Sequence, residues 1–471
     1  MDQHLNTRLH ILYAAAGICA LGALGGAANH LPIITCLFLG LCGVLLVCIR
    51  YLQGGFTNAF LVEFALFVSI CGPYLRGLPG IPAIRPEYFL LAAIVAVSTL
   101  ARSFKVGETP GWKFPFLGYA IIAVSGVLIP GIYGALSKGT VLSFRDAWEP
   151  LKLLIFYGMF VFSVSARLDA RSVERLIDAF VVFSVFSFGI ALIQYIDVSG
   201  FGAFIASYYA PTQLRSLLAG RRVVGTFPNP NEFGAYLIVS LTVILVAFFQ
   251  IKRRNKKVFY LLSGLLCFVG LILTGSRSAL AGFLVSAGVI FVRRFWGGSS
   301  RDRMQLLLTV GSVAILGILI LGSVVPRETL DRMLGLLNPL EQTSFLSRLN
   351  SWNQAYAAWM ESPLFGWGPA KFEMTTIVDN EWLLMLRRYG IVGTLLLCLF
   401  FGRIAYACNR RRHSVLDSFR ILAEAAVPAA SGIAVYMVAA AFIHSMQLMS
   451  ILVILSGVTL SSGHDRSRAI N

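Results

Sequence analysis

"IVDNEWLLMLRRYGIVGTLLLCLFFG", residues Ile377–Gly402, runs from an acidic start through a double arginine into an unbroken apolar stretch. Spanning the hydrocarbon core of a bilayer takes about 20 consecutive apolar residues in a helix, and the part from Tyr389 onward supplies them. Asp379, Asn380, Glu381, Arg387 and Arg388 then fall at the edge of that span. Charge there is costly unless it faces a polar cavity or a partner. One stretch therefore predicts both a membrane helix and a polar site beside it.

Composition extends this reading to the whole chain. Of 471 residues, 57% are hydrophobic and 13% charged, and the mean hydropathy is +0.77. These values exclude a soluble domain and predict an all-α polytopic integral membrane protein. The formal net charge of +17 is explained first by topology and anionic lipid, so no nucleic-acid partner is expected. Fourteen spans are expected, near 10–28, 31–49, 56–74, 87–101, 115–133, 151–166, 174–196, 232–250, 258–274, 278–292, 304–325, 389–407, 421–443 and 447–461. They form a single membrane domain over 1–471, without internal repeats or low-complexity segments.

Threading the spans from a cytoplasmic N-terminus places Lys252–Lys257, Arg167–Arg175, Arg293–Arg303 and Asn409–His413 on one side. The positive-inside tendency makes that side the cytoplasm, with both termini there. The first span resembles a signal peptide in length, but the second follows at once, and it is read as retained. The eight cysteines fall in spans or at cytoplasmic ends, so no outer disulfide is expected. No CxxC, HExxH or aspartate-rich signature is present, so no cofactor is expected and a metal-independent reaction is the default.

Two outer segments are long, 197–231 and 326–380, and loops of that length usually carry function. In the second, "ETLDRMLGLL" and "SRLNSWNQAYAAWM" repeat apolar residues at helical spacing and predict amphipathic helices against the bundle or the membrane. The outer face also holds an unexpected number of cations. They are Arg76, Arg85, Lys138, Arg145, Lys152, Arg215, Arg221, Arg222, Arg277, Arg327, Arg332, Arg348, Lys371, Arg387 and Arg388. The guanidinium fork suits bidentate capture of phosphate, so convergent arginines there predict a pyrophosphate-bearing lipid substrate. Pairing with Asp146, Glu149, Glu232, Glu341, Glu361, Glu373, Asp379 or Glu381 is the structural alternative for each arginine.

"RRVVGTFPNPNEFGAYLIVS" (221–240), "LTGSRSALAGFLVS" (273–286), "SRLNSWNQAYAAWMESPLFGWGPAKF" (347–372) and "VDNEWLLMLRRYGIVG" (378–393) follow one another in a telling order. With "IRPEYFLL" (84–91) and "FRDAWEPLKLLIFY" (144–157), the set resembles the O-antigen ligase and Wzy polymerase superfamily over most of the chain. The resemblance implies a GT-C-like membrane glycosyltransferase working at the outer face of the bacterial inner membrane. Its donor would be an undecaprenyl-pyrophosphate-linked oligosaccharide, with the lipid pyrophosphate as leaving group. A flippase and a chain-length regulator are the partners such an enzyme implies.

Carried over by position, Arg145, Arg222 and Arg277 match basic residues associated in such enzymes with the donor pyrophosphate, where fixed cations would stabilise the departing group. Arg348, Arg387 and Arg388 would add contacts to phosphate or to anionic groups of the acceptor. The similar ligases carry His-Asn where this chain has Asp379 and Asn380, and "DNEWL" is closer to the "DNEYL" pattern of chain polymerases. Asp379 or Glu381 would then take the proton of the acceptor hydroxyl. Asp379 as a helix N-cap is the plainer alternative, and Asn229 and Asn231 read either as turn and cap residues or as substrate contacts. His444 and His30 read as structural or solvated, and the outer Trp and Tyr residues as an interfacial belt. A repeat-unit polymerase is the expectation. An O-antigen ligase or protein O-glycosylating enzyme is the alternative within the superfamily. A flippase or secondary transporter is the alternative outside it, and would gather its polar residues at the bilayer midplane.

Overall fold

The computed structural model describes residues 58–72, 114–210, 213, 222–297, 303, 343–376, 378–413 and 416–461. Regular structure among the described residues is entirely helical. In chain order the helices are α1 (Asn58–Cys71), α2 (Leu117–Ser137), α3 (Phe144–Ser165), α4 (Ala170–Ile196), α5 (Phe201–Tyr209) and α6 (Pro230–Gln250). They continue with α7 (Arg254–Leu273), α8 (Arg277–Gly297), α9 (Thr343–Met360), α10 (Glu381–Arg410), α11 (Asp417–Tyr436) and α12 (Met446–Leu460). Eight of these, α2, α3, α4, α6, α7, α8, α10 and α11, have the length and apolar content to cross a membrane. The chain is a multi-pass membrane protein.

The count of fourteen spans is matched only in part. The expected spans at 10–28, 31–49, 87–101 and 304–325, with "ETLDRMLGLL", lie outside the described residues. The span expected at 56–74 is the shorter α1, and α12 is likewise short for a crossing. The span expected at 421–443 is corrected: its helix ends at Tyr436, and residues 437–445 form a non-helical turn. Hydropathy cannot see that stop, because the turn is as apolar as the helix before it. The segment 197–231, expected as an outer loop, contains the helix α5.

α6 is the most enclosed of the spans and packs against α4, α7, α8 and α11. Lipid tails are as apolar as leucine, so helices in a bilayer associate through close backbone approach and buried hydrogen bonds. Both occur here. Ser184 of α4 bonds the Tyr236 hydroxyl at 2.7 Å and donates to Ser240 of α6 at 3.0 Å. α2 and α10 cross where a Cβ on Gly393 would stand 2.3 Å from the Gly126 carbonyl oxygen. The opposite face of α2 leaves Ile121, Leu128, Ile132 and Leu136 exposed, as a lipid-facing stripe requires.

Gly390 breaks α10 soon after its start, with φ 61° and ψ −169°, a conformation essentially reserved for glycine. The connection after α9 fills the break. Ile391 and Val392 donate to the Pro363 and Leu364 carbonyls at 2.9 and 3.1 Å, and Trp367 donates to the Arg387 carbonyl at 3.0 Å. The double arginine is thereby locked against the 361–376 segment. The apolar face of α9 meets α10 through Ala355, Val378 and Leu384, as its periodicity predicts.

Candidate functional site

The site begins at the N-terminus of α3. Ser143 closes a capping box with Asp146, whose Oδ2 accepts the Ser143 N–H at 2.9 Å and hydroxyl at 2.6 Å. The other oxygen of Asp146 accepts the Lys371 N–H at 3.1 Å and so ties the long connection to α3. One turn further on, Glu149 points inward with only 5% of its side chain exposed. Lys152 Nζ stands 2.9 Å from it, Lys371 Nζ 2.5 Å, Arg388 Nη1 3.6 Å and His444 Nε2 3.6 Å. Tyr389 donates its hydroxyl to the same carboxylate at 3.4 Å.

One buried carboxylate thus faces three obligate or near-obligate cations. A fourth, Arg387, is buried on the adjoining turn of α10 and donates to the Thr376 carbonyl at 3.4 Å. Among the described residues no carboxylate pairs with Arg387, and the Nε atoms of Arg387 and Arg388 are buried without an acceptor. Burial pulls the Lys371 ammonium below the ordinary lysine range. Glu149 opposes that shift, and Lys152 and Arg388 reinforce it.

The start of α10 assigns the two expected carboxylates to different environments. Asn380, not Asp379, is the N-cap, accepting the Leu383 N–H at 3.0 Å. Asp379 lies one residue too early to cap and instead pairs with Arg348 of α9 at 3.5 Å, its side chain 48% exposed. Glu381 has no exposed surface at all. Its carboxylate accepts the Phe442 N–H at 3.0 Å and pairs with His444 Nδ1, while its own N–H donates to the Met437 carbonyl at 2.9 Å.

The third part of the site is the start of α6. Asn229 caps the helix by accepting the Glu232 N–H at 2.8 Å and donates to the Glu232 carboxylate at 2.6 Å. Asn231 is not the cap: it accepts from Arg222 Nη2 at 3.0 Å. Arg222 Nε donates to the Thr274 carbonyl at 2.8 Å, and three residues later Arg277 opens α8, so the two arginines share this turn. Glu232 also accepts the Ser445 hydroxyl. The turn 442–445 therefore touches carboxylates from α3, α6 and α10, and joins the three parts.

Residues 262–398 match the family model Wzy_C, described as O-antigen ligase. No curated protein matches the chain. The Wzy_C segment runs from within α7 into α10 and contains Arg277, Arg348, Lys371, Asp379, Asn380, Glu381, Arg387 and Arg388. Arg145, Glu149, Lys152, Arg222, Asn231 and His444 lie outside it, yet several of them complete the same cluster. Members of the Wzy_C family are glycosyltransferase-like enzymes, and the family points to lipid-linked oligosaccharide substrates.

The expected site residues separate into groups. Arg388 and Glu381 belong to the central cluster, with Arg387 on its border. Arg222, Arg277 and Asn231 lie together at the α6 and α8 starts. Arg348, Asp379 and Asn380 stand at the α9–α10 junction. The Arg145 side chain is exposed, and its contribution is a backbone carbonyl that accepts from Lys371 Nζ at 2.9 Å. Glu149, Tyr389 and His444 were not expected in the site. The available signals were the i,i+3 spacing of Glu149 and Lys152 in an apolar helix and the His-Ser pair in "AAAFIHSMQLMS".

Proposed function

We propose that this chain is a polysaccharide polymerase, joining undecaprenyl-pyrophosphate-linked repeat units at the outer face of the bacterial inner membrane. The observation that carries this reading is the surplus of buried and half-buried cations around Glu149 within and beside the Wzy_C segment. Buried charge is normally paired to neutrality, so a surplus of one sign marks a place where a ligand supplies the other. A lipid pyrophosphate supplies it and gains negative charge as it leaves. Lys152, Lys371 and Arg388 stabilise that departure from one side, and Arg222 and Arg277 from the α6 and α8 starts. Arg387 holds the same phosphates or anionic groups of the acceptor.

The outer location rests on the basic clusters at the opposite ends of α4, α7, α8 and α10, which the positive-inside tendency assigns to the cytoplasm. Asp379 with Arg348 forms an accessible rim for the acceptor glycan, and the capping Asn380 is buried behind it. The architecture is read as GT-C-like and the reaction as metal-independent, with a flippase supplying substrate and a chain-length regulator limiting the product. The family description favours a second reading, an O-antigen ligase that transfers the glycan to lipid A core or to protein. Asp379, where the similar ligases carry histidine, favours polymerisation.

Reconstitution with chelator and a lipid-pyrophosphate-linked repeat unit as the only substrate separates these readings. A ladder of lipid-linked multiples is expected from a polymerase. Transfer only after lipid A core or a protein acceptor is added makes it a ligase, and transfer to none of them removes the glycosyltransferase reading.

A further inference from the structure

Glycosyl transfer needs a group that accepts the proton of the attacking hydroxyl, and the two carboxylates expected for this are poorly placed. Glu381 is wholly enclosed, so no sugar reaches it, and Asp379 is held by Arg348 at the rim. His444 is different. The turn between α11 and α12 carries it into the wall of a small cavity lined also by Glu149, Lys152, Phe156, Met385 and Tyr389.

Its two ring nitrogens have unequal surroundings. Nδ1 is held by the Glu381 carboxylate, and the Phe442 N–H fixes that carboxylate in turn at 3.0 Å. A carboxylate on Nδ1 keeps the proton on that nitrogen and leaves the lone pair on Nε2. Nε2 lies 3.6 Å from Glu149, beyond hydrogen-bond reach, and makes no hydrogen bond among the described residues. Glu149 is already engaged by Lys152, Lys371 and Tyr389. An oriented imidazole with an open acceptor nitrogen therefore faces the cavity, beside the cations that await the leaving group.

We propose that His444 is the general base of the transfer and Glu381 its positioning residue, an assignment that rests on the glycosyltransferase reading above. The acceptor hydroxyl gives its proton to Nε2, and its oxygen forms the new bond to the anomeric carbon of the donor. The anomeric carbon–oxygen bond breaks, and its electron pair leaves on the lipid pyrophosphate. The imidazolium is stabilised by Glu381 and then releases its proton to water.

His444→Asn tests this, because the asparagine amide can replace the Nδ1–H donor to Glu381 while the Cε1–Nε2 edge of the ring is removed. In vesicles carrying the lipid-linked repeat unit, turnover of this variant is expected to fall about 10²–10⁴-fold, the usual range for losing a general base. Donor binding is expected to stay within about twofold of wild type, which separates lost chemistry from a lost fold. Glu381→Gln keeps the side-chain shape but leaves one acceptor oxygen for the two donors, the Phe442 N–H and His444 Nδ1, and removes the charge that steadies the imidazolium, so turnover falls and the acidic limb of the kcat/KM profile moves to lower pH. The other charged groups facing His444 are Glu149 and Lys152 from α3, Lys371 from the long connection and Arg388 from α10, and all remain in both variants. Turnover of His444→Asn within about threefold of wild type, or an unmoved acidic limb in Glu381→Gln, overturns the proposal while leaving glycosyl transfer standing. A wild-type protein that transfers no glycan to any acceptor fails the reading beneath it.

Discussion

Two ionic clusters stand at opposite ends of the bundle, and they are built on opposite principles. At the end where α4 and α7 begin, Lys256 is shared between Glu174 and Asp178 at 2.7 Å each, and Tyr260 donates to Asp178 at 2.6 Å. The lysine and its two acids are about a quarter to two-fifths exposed, acids outnumber the lysine, and no further ligand is called for. At the other end one enclosed carboxylate, Glu149, is surrounded by Lys152, Lys371 and Arg388, with Arg387 close behind. The first arrangement is a surface clasp between helices. The second gathers more cations than acids around an enclosed carboxylate, which is the electrostatic condition for receiving a pyrophosphate.

The largest effects should separate the two ends by function. Arg222→Ala and Arg277→Ala are each expected to abolish polymer while the protein still inserts and is recovered from membranes, as blotting alongside glycan sizing would reveal. Wild-type polymer yield from either would remove that arginine from the donor site. Lys256→Met at the opposite end is expected to leave polymer yield within about twofold, and a comparable loss there would erase the distinction.

Stability should respond in the same sense. Glu149→Ala strips away the acid that Lys152, Lys371 and Arg388 share and is expected to destabilise the detergent-solubilised protein by about 3–5 kcal/mol, the cost of leaving a buried charge uncompensated. Lys256→Met removes a half-exposed pair and should cost about 1 kcal/mol or less. Thermal unfolding of both variants measures the contrast, and equal shifts would show the Glu149 cluster to be an ordinary surface network.

A smaller effect concerns pH. Lys371 has its charged form disfavoured by burial, so its folded pKa lies below the ordinary lysine value of 10.5. It is charged below the folded pKa and becomes neutral as pH rises through it, earlier than a free lysine would. Transfer is therefore expected to decline on the alkaline side before pH 10.5. Lys371→Arg, which stays charged, should move that decline upward. An unchanged alkaline limb would mean that Lys371 serves Glu149 alone. Least of all, Asp169→Ala, which removes the cap that accepts the Ser172 N–H at 3.0 Å, should cost about 1 kcal/mol without touching the transfer reaction.

Much of this was legible in the sequence because membrane insertion reads local composition. Length and hydropathy alone placed most of the helices the structure describes, since a span must satisfy its own backbone hydrogen bonds and expose no polar face to lipid. The α9 periodicity was an equally local property. The segment 437–445 was not legible, because an apolar turn and an apolar helix have the same hydropathy. It is that turn which brings His444 to Glu381.

The sequence by itself determined the class of molecule, the order of its spans and the residue types available for phosphate chemistry. Only the tertiary structure decided which of them meet. It enclosed Glu381 and left Asp379 at the rim, gave the N-cap to Asn380, and gathered cations from α3, α10 and the long connection around Glu149. The reason is physical. Hydropathy is a sum over neighbours in the chain, whereas charge balance and proton transfer depend on distances of a few ångströms between residues hundreds of positions apart.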